Sequence, residues 1–218
     1  MGTFVSRLSL LAAFCLALFL ALAYGSMAIP AVQNIDAAVD AALSPMRTKP
    51  LLTAFLWVTP LGAGATLLAV MLTATGFLWN ESGRPFLRPL WIVYLGTEAM
   101  TWGTKFILDR ERPVFLEVAS AASPSFPSAH TAGAAAVYCF FTYILMHRAT
   151  PDGSARVGIL AVATLIIAAV ALSRVALGVH FFSDVLGGLA VAGLWLCFGV
   201  ATVRKASSIL KTLAGTSP

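Results

Sequence analysis

The stretch VGILAVATLIIAAVALSRVAL, residues 157–177, decides the fold. A helix needs about 20 predominantly apolar residues to cross the hydrocarbon of a bilayer. This run supplies them, and its only charge is Arg174, close to its end. The whole chain follows the same pattern: of 218 residues, 59% are hydrophobic and 11% charged, with a mean hydropathy of +0.89. A soluble domain carries about 25% charged residues, so the composition points to an integral membrane protein. The reading is all-α: one domain spanning residues 1–218, a bundle of about six transmembrane helices.

Working outward from that run, the sixth span is read at 182–203, with a short basic tail behind it, and the fourth at 128–146. A polar loop, 147–156, joins the fourth to the fifth. The third span is read at 89–108, after a polar turn at 80–88. The apolar stretch 52–79 is too long for one upright span and is interrupted by Pro60, Gly62 and Gly64, so it should kink there. The first span is read at 8–28. Arg7 and the small residues after Tyr24 would also suit a cleaved signal peptide, but the apolar stretch outruns the usual core of about 7–15 residues. A retained anchor is expected. Between the first two spans, Val32, Ile35, Val39 and Ala42 recur with helical period, while Asp36 and Asp40 fall on another face. This predicts a short interfacial helix.

The net charge of +5 does not form a nucleic-acid patch, because the basic residues are scattered among segment ends. No nucleic acid is expected as a partner; membrane lipids are. Cys15, Cys139 and Cys197 all lie in apolar runs and read as small buried hydrophobes. Loop charge sets the orientation. With both termini cytoplasmic, Arg7, Arg84, Arg88, Arg148, Arg156, Arg204, Lys205 and Lys211 lie inside, and Arg47, Lys49, Lys105, Arg110, Arg112 and Arg174 outside. Chemistry accounts for three of the outer group, which leaves the bias positive inside. Trp79 and Trp91 then suit a cytoplasmic aromatic belt.

In that topology three polar clusters share the outer face. The first runs from Lys105 to Arg112-Pro113, the second is Pro127-Ser128-Ala129-His130, and the third is Ser173-Arg174 followed by His180 and Asp184. A phosphate ester carries up to two negative charges, and breaking it requires neutralisation, an in-line nucleophile and a proton for the leaving oxygen. Lys105, Arg112 and Arg174 can neutralise, arginine through its fork and lysine as a point charge. Each alone could simply snorkel to lipid headgroups; the set beside two histidines argues for a site. Pro113 is expected to stop the local helix and so aim Arg112. Ser128 is expected to cap the fourth span and also face the site, where the helix N-terminus favours an anion. His130 suits general acid work. His180 and Asp184, four apart, share a helical face, so the carboxylate can orient the imidazole and leave its second nitrogen free to attack. Gly178 permits the tight return from Arg174. Glu98 reads as hydrogen-bonded or protonated inside the bundle, and Asp109, Arg110 and Glu111 as a solvated face. Val114-Phe115-Leu116 is apolar enough to line an entrance for lipid.

The clusters spell K-x6-R-P, P-S-x-H and S-R-x5-H-x3-D, in this order. With these motifs, over residues 105–184, the chain resembles the type 2 phosphatidic acid phosphatase superfamily, which includes bacterial membrane lipid phosphatases and, more distantly, soluble vanadium haloperoxidases. The resemblance implies that His180 is the nucleophile and forms a phosphohistidine, that Asp184 orients it, and that His130 protonates the leaving group. It implies that Lys105, Arg112, Ser128, Ala129 and Arg174 hold the phosphoryl oxygens, with no metal and no cofactor. Ala129 stands where many members have glycine; it keeps the backbone N–H and adds a methyl group. The expected partner is a lipid phosphate lying in the bilayer of a bacterial inner membrane, with the site facing the periplasm. Undecaprenyl pyrophosphate is the favoured substrate, with phosphatidylglycerol phosphate close behind and phosphatidic acid or lipid A phosphates as alternatives. A lipid phosphotransferase is the alternative on the same site; a transporter or an inactive bundle fits the intact motifs poorly.

Overall fold

The structure is a computed structural model describing residues 2–80, 82–113, 123–150 and 152–215, with side chains described from 6 to 205. The described residues form helices and turns and contain no strand. In chain order the helices are α1 (Gly2–Ala28), α2 (Pro30–Leu43), α3 (Lys49–Val58), α4 (Gly64–Leu78), α5 (Arg84–Leu108), α6 (Ala129–Arg148), α7 (Gly153–Ala176) and α8 (Phe182–Gly215). Short 3-10 turns lie at Ser44–Met46 and Thr59–Gly62.

Within α1, α6, α7 and α8 there is a stretch long and apolar enough to cross a membrane, and α3 and α4 together make another, bent by 45°. The bend falls at the break between Gly62 and Gly64, just after Pro60 and within the stretch where sequence placed the kink; Pro60 itself removes an intrahelical hydrogen bond. That makes five candidate spans among the described residues where about six were expected: α5, the expected third, has 25 residues, but its charges Arg84, Arg88, Glu98 and Lys105 keep it out of this group. Its N-terminus begins five residues before the predicted one, since Pro85 sits comfortably in the first turn. Pro89 lies inside the helix without ending it. The chain is therefore an all-helical membrane bundle.

α8 and α6 form its centre. α5 packs against both, α1 lies along α8, α7 along α6, and α4 closes the side between α5 and α6. The main core joins Leu67 and Met71 of α4, Leu90 and Val93 of α5, Val137 and Phe140 of α6, and Ala192 of α8. A smaller cluster, Phe19, Ala23, Phe126, Ala190 and Val191, binds α1 and the segment before α6 to α8. Cys15 and Cys197 are buried and Cys139 half-buried, all as free thiols, as the apolar context implied. Trp91 is half-buried against the core, and its indole N–H donates to Thr75 Oγ1 at 3.1 Å. Trp79 is the exposed one of the two.

The up-and-down order brings the end of α5, the start of α6, the end of α7 and the start of α8 to one end of the bundle. α2 lies across that same end, packed on α1, α8 and α7. Its pattern departs from the sequence expectation at two positions, while Val32 and Val39 are half-buried. Asp36 is buried at 3% exposure while Ile35 is 54% exposed. Asp36 is drawn inward by an ionic partner, Arg110, and by Ser183.

Candidate active site

α7 ends at Ala176, and the chain turns through Gly178, whose φ of +63° suits a residue without a side chain. The amides of Val179 and His180 both donate to the Arg174 carbonyl at 3.2 Å, so the loop folds back on the helix end and fixes His180 in place. α8 starts two residues later. His180 and Asp184 then face each other, with Nδ1 3.2 Å from Oδ2. The imidazole is 2% exposed and the carboxylate fully buried.

Arg112 comes in from the opposite side. Its Nη1 donates to the Val179 carbonyl at 2.7 Å and lies 3.1 Å from His180 Nε2. A guanidinium has no acceptor, so the network assigns the lone pair to Nε2 and the proton to Nδ1, directed at Asp184. Burial pushes the His180 ring down to about 4, with the positive charges of Arg112 and Arg174 adding to the effect against the pull of Asp184. The ring is neutral near pH 7, with Nε2 available as a nucleophile.

The helix carrying Lys105 stops at Leu108, where Asp109 takes a left-handed conformation at φ 45°. Pro113 is therefore not the terminator that sequence suggested; it follows a segment already out of the helix. Arg112 is aimed instead by hydrogen bonds from Nε to the Ser123 carbonyl at 2.7 Å and from Nη2 to Ser123 Oγ at 3.1 Å. Lys105, 1% exposed, donates to the carbonyls of Pro124 and Ser125 at 2.5 and 3.0 Å. Arg174, also buried, donates from Nη1 to Thr59 Oγ1 at 2.6 Å, while its Nε has no partner among the described residues.

Ser128 stands at the N-cap of α6, but its side chain makes no cap bond. Its hydroxyl accepts from Thr131 Oγ1 at 3.1 Å, and its amide donates to the Asp184 carbonyl at 3.0 Å. The expected side-chain cap is thus replaced by a tie to α8, and the first-turn amides of α6 keep their donors. The approach is close because position 188 is glycine: a Cβ there would stand 2.7 Å from the Ser128 carbonyl oxygen. His130 follows in the first turn of α6, half-buried, within electrostatic reach of Lys105, Arg112, Arg174 and His180. The vertex between α3 and α4 backs it, with Gly62 against its carbonyl.

All eight residues singled out from sequence gather at this end of the bundle. Glu98 lies deeper on α5 and accepts from Trp102 Nε1 at 3.0 Å, which matches the hydrogen-bonded reading. Val114-Phe115-Leu116 lies outside the described residues. The larger correction concerns Arg110. It was read as part of a solvated face, yet it is 8% exposed, bonded to Asp184 and Asp36 and stacked 4.2 Å over the Phe181 ring. Ser125, Thr59 and Asp36 were likewise not singled out as site residues. Arg110 was the findable one, as a charge lodged between two motif residues.

An imidazole–carboxylate pair set among guanidinium groups at one end of a helical membrane bundle defines a class of phosphoryl-handling proteins. The chain belongs to the PAP2 superfamily, whose family model matches residues 86–208, and it is a membrane phosphatase acting on lipid phosphates. Among curated proteins it is 33% identical over 174 residues to phosphatidylglycerophosphatase B of Bacillus subtilis (strain 168), covering 77% of this chain and 82% of that one. Among solved structures it resembles a transmembrane PAP2-type phosphatidylglycerolphosphate phosphatase from Bacillus subtilis, with a TM-score of 0.79 and 28% identity over 89% of this chain and 96% of the other. The fold is shared more distantly with Aquifex aeolicus LpxE, at a TM-score of 0.59 and 21% identity over 77% and 93% of the two chains.

Proposed function

We propose that the chain removes the terminal phosphate of phosphatidylglycerol phosphate in two displacements at His180. The observation that carries this is the placement of His180 between Asp184 on Nδ1 and Arg112 beside Nε2. In the first displacement Nε2 attacks phosphorus, the ester P–O bond breaks, and the lipid alkoxide leaves with a proton from His130. Asp184 balances the positive charge that develops on the attacking ring. In the second, water attacks the phosphohistidine, His130 takes the water proton, and inorganic phosphate departs from a neutral His180.

Arg112, Arg174 and Lys105 hold the phosphoryl oxygens, together with the Ser128 hydroxyl and the first-turn amides of α6, that of Ala129 among them. Such fixed donors stabilise a charge-rich transition state without reorganising. No metal or cofactor enters these steps. The whole chain acts as one domain, with both termini in the cytoplasm and the site on the periplasmic face of a bacterial inner membrane.

The choice of phosphatidylglycerol phosphate, over the undecaprenyl pyrophosphate that sequence put first, rests on the curated relative and on the structural neighbour at 28% identity. Phosphate release across a panel of lipid mono- and diphosphates tests it. Phosphatidylglycerol phosphate should show the highest kcat/KM. A preference for undecaprenyl pyrophosphate above it by tenfold or more would overturn the assignment, and appearance of a newly phosphorylated second lipid would make the protein a phosphotransferase.

A further inference from the structure

Behind the His180–Asp184 pair lies a second buried ionic group that the reaction above does not use. Arg110 Nη1 donates to Asp184 Oδ1 at 2.5 Å and to Ser183 Oγ at 2.8 Å, and Nη2 donates to Asp36 Oδ2 at 2.8 Å. Asp36, on α2, also accepts from the Ser183 amide at 2.8 Å and from the Ser183 hydroxyl at 2.6 Å. It therefore holds the first turn of α8 and the guanidinium at once. The two oxygens of Asp184 face different partners: Oδ1 takes Arg110, while Oδ2 takes His180 Nδ1, the Phe181 amide at 2.9 Å and the Ser125 hydroxyl.

The charges around the His180–Asp184 pair come from every neighbouring element. Lys105 approaches from α5, Arg110 and Arg112 from the segment after it, His130 from α6, Arg174 from α7 and Asp36 from α2. Among them Arg110 alone makes an ion pair with both Asp184 and Asp36 in the described residues. Ion pairs this buried are costly to assemble and strongly destabilised when one member is removed. A site that only needed Asp184 ionised could have left Oδ1 to water or a backbone amide. The fork geometry instead fixes the plane of the carboxylate.

We propose that Asp36 and Arg110 are a positioning couple for the His180–Asp184 pair: Arg110 fixes the plane and charge of Asp184, and Asp36 fixes Arg110 and the start of α8. The interfacial helix is thereby part of the catalytic apparatus, acting through side chains that never touch substrate. The proposal rests on the phosphohistidine reading above and deepens it.

The test uses the full-length protein in lipid nanodiscs with phosphatidylglycerol phosphate as substrate, measuring kcat, KM and the pH profile of kcat/KM. Arg110→Gln should lower kcat by about 10–100-fold, the scale of loss when a partner that orients a functional histidine in a metal site is removed, with KM little changed. Removing a cation beside the pair lets it hold a proton more readily, so the acid limb should move up by about one pH unit. Asp36→Asn keeps the acceptor toward Ser183 and removes a negative charge, so kcat should fall while the limb moves down. Arg110→Lys should return the limb to its wild-type position and recover only part of kcat. Should Arg110→Gln not accumulate as folded protein, the other two variants carry the same prediction. Unmoved acid limbs with a lower kcat would assign a structural role only, and unchanged kcat in all variants would overturn the proposal. In either case, phosphohistidine trapped on His180 of the wild type would leave the parent reading standing; its absence there would remove that reading itself.

Discussion

α6 and α7 run side by side, yet they are built on opposite principles. The apolar window of α7 has a mean hydropathy of 2.4 and is 11% buried; that of α6 has 1.3 and is 56% buried. In water the greasier helix would be the inner one. In a bilayer lipid is as apolar as leucine, so hydrophobicity does not drive helices together, and small residues that allow close packing mark the inside. α6 shows this in Thr131, Ala132, Gly133, Ala134, Ala135 and Ala136, all buried, while α7 turns Val157, Val162 and Leu165 outward. The lesson extends to the ends. α7 becomes buried only toward its end, at Val170 and from Ser173 to Ala176, where it joins the polar site.

The contrast can be broken most severely at the site. Replacing His180 by alanine should reduce turnover by about a thousandfold or more, since a group acting as nucleophile is lost outright. His130→Ala should do nearly the same. Residual activity above about a tenth of wild type in either would contradict the assigned roles, on the scale such losses take.

The buried environment should also show in the pH profile. With His180 pushed down to about 4 by burial, its ring takes a proton only below that value, and Nε2 is then no longer a nucleophile. For the free enzyme, the limb of kcat/KM due to this group should therefore be lost on the acid side, near pH 4, as pH falls. A limb at the ordinary imidazole value of about 6.5 would mean the ring is more exposed than the structure has it.

A smaller effect is expected where α6 crosses α8. Gly188→Ala places a Cβ 2.7 Å from the Ser128 carbonyl oxygen and 3.1 Å from the Ala132 nitrogen. Backbone cannot yield as a side-chain tip can, so thermal unfolding should report a loss of about 1–3 kcal/mol. The shift of the first turn of α6 should lower activity as well. Smallest of all, Leu165→Ala on the outer face of α7, where Leu165 is 67% exposed, should change stability by less than about 0.5 kcal/mol and leave kcat unchanged. A larger loss there would mean that α7 faces protein rather than lipid.

The spans and the motif residues could be read in the sequence because each depends on local pattern. Twenty apolar residues, a proline interrupting a run and a histidine four places from an aspartate are all short-range facts. The couple behind the site was not legible for the opposite reason. Asp36 and Ser183 are 147 positions apart, and a helix with aspartates on one face reads as a surface helix until its partner is known. Arg110 lay in plain view between Lys105 and Arg112, but an Asp-Arg-Glu run in a connection reads as solvated. Ser128 shows a subtler limit: its position as N-cap was legible, but its use of the backbone to tie α6 to Asp184 was not.

The most direct measurement is rapid quenching of the purified enzyme with lipid labelled in its terminal phosphate, followed by mass spectrometry of the phosphorylated peptide. The account predicts an acid-labile phosphoryl group on His180, formed within a single turnover and absent from His180→Asn. Phosphorylation of a different residue, or turnover with no covalent label at any time, would contradict it.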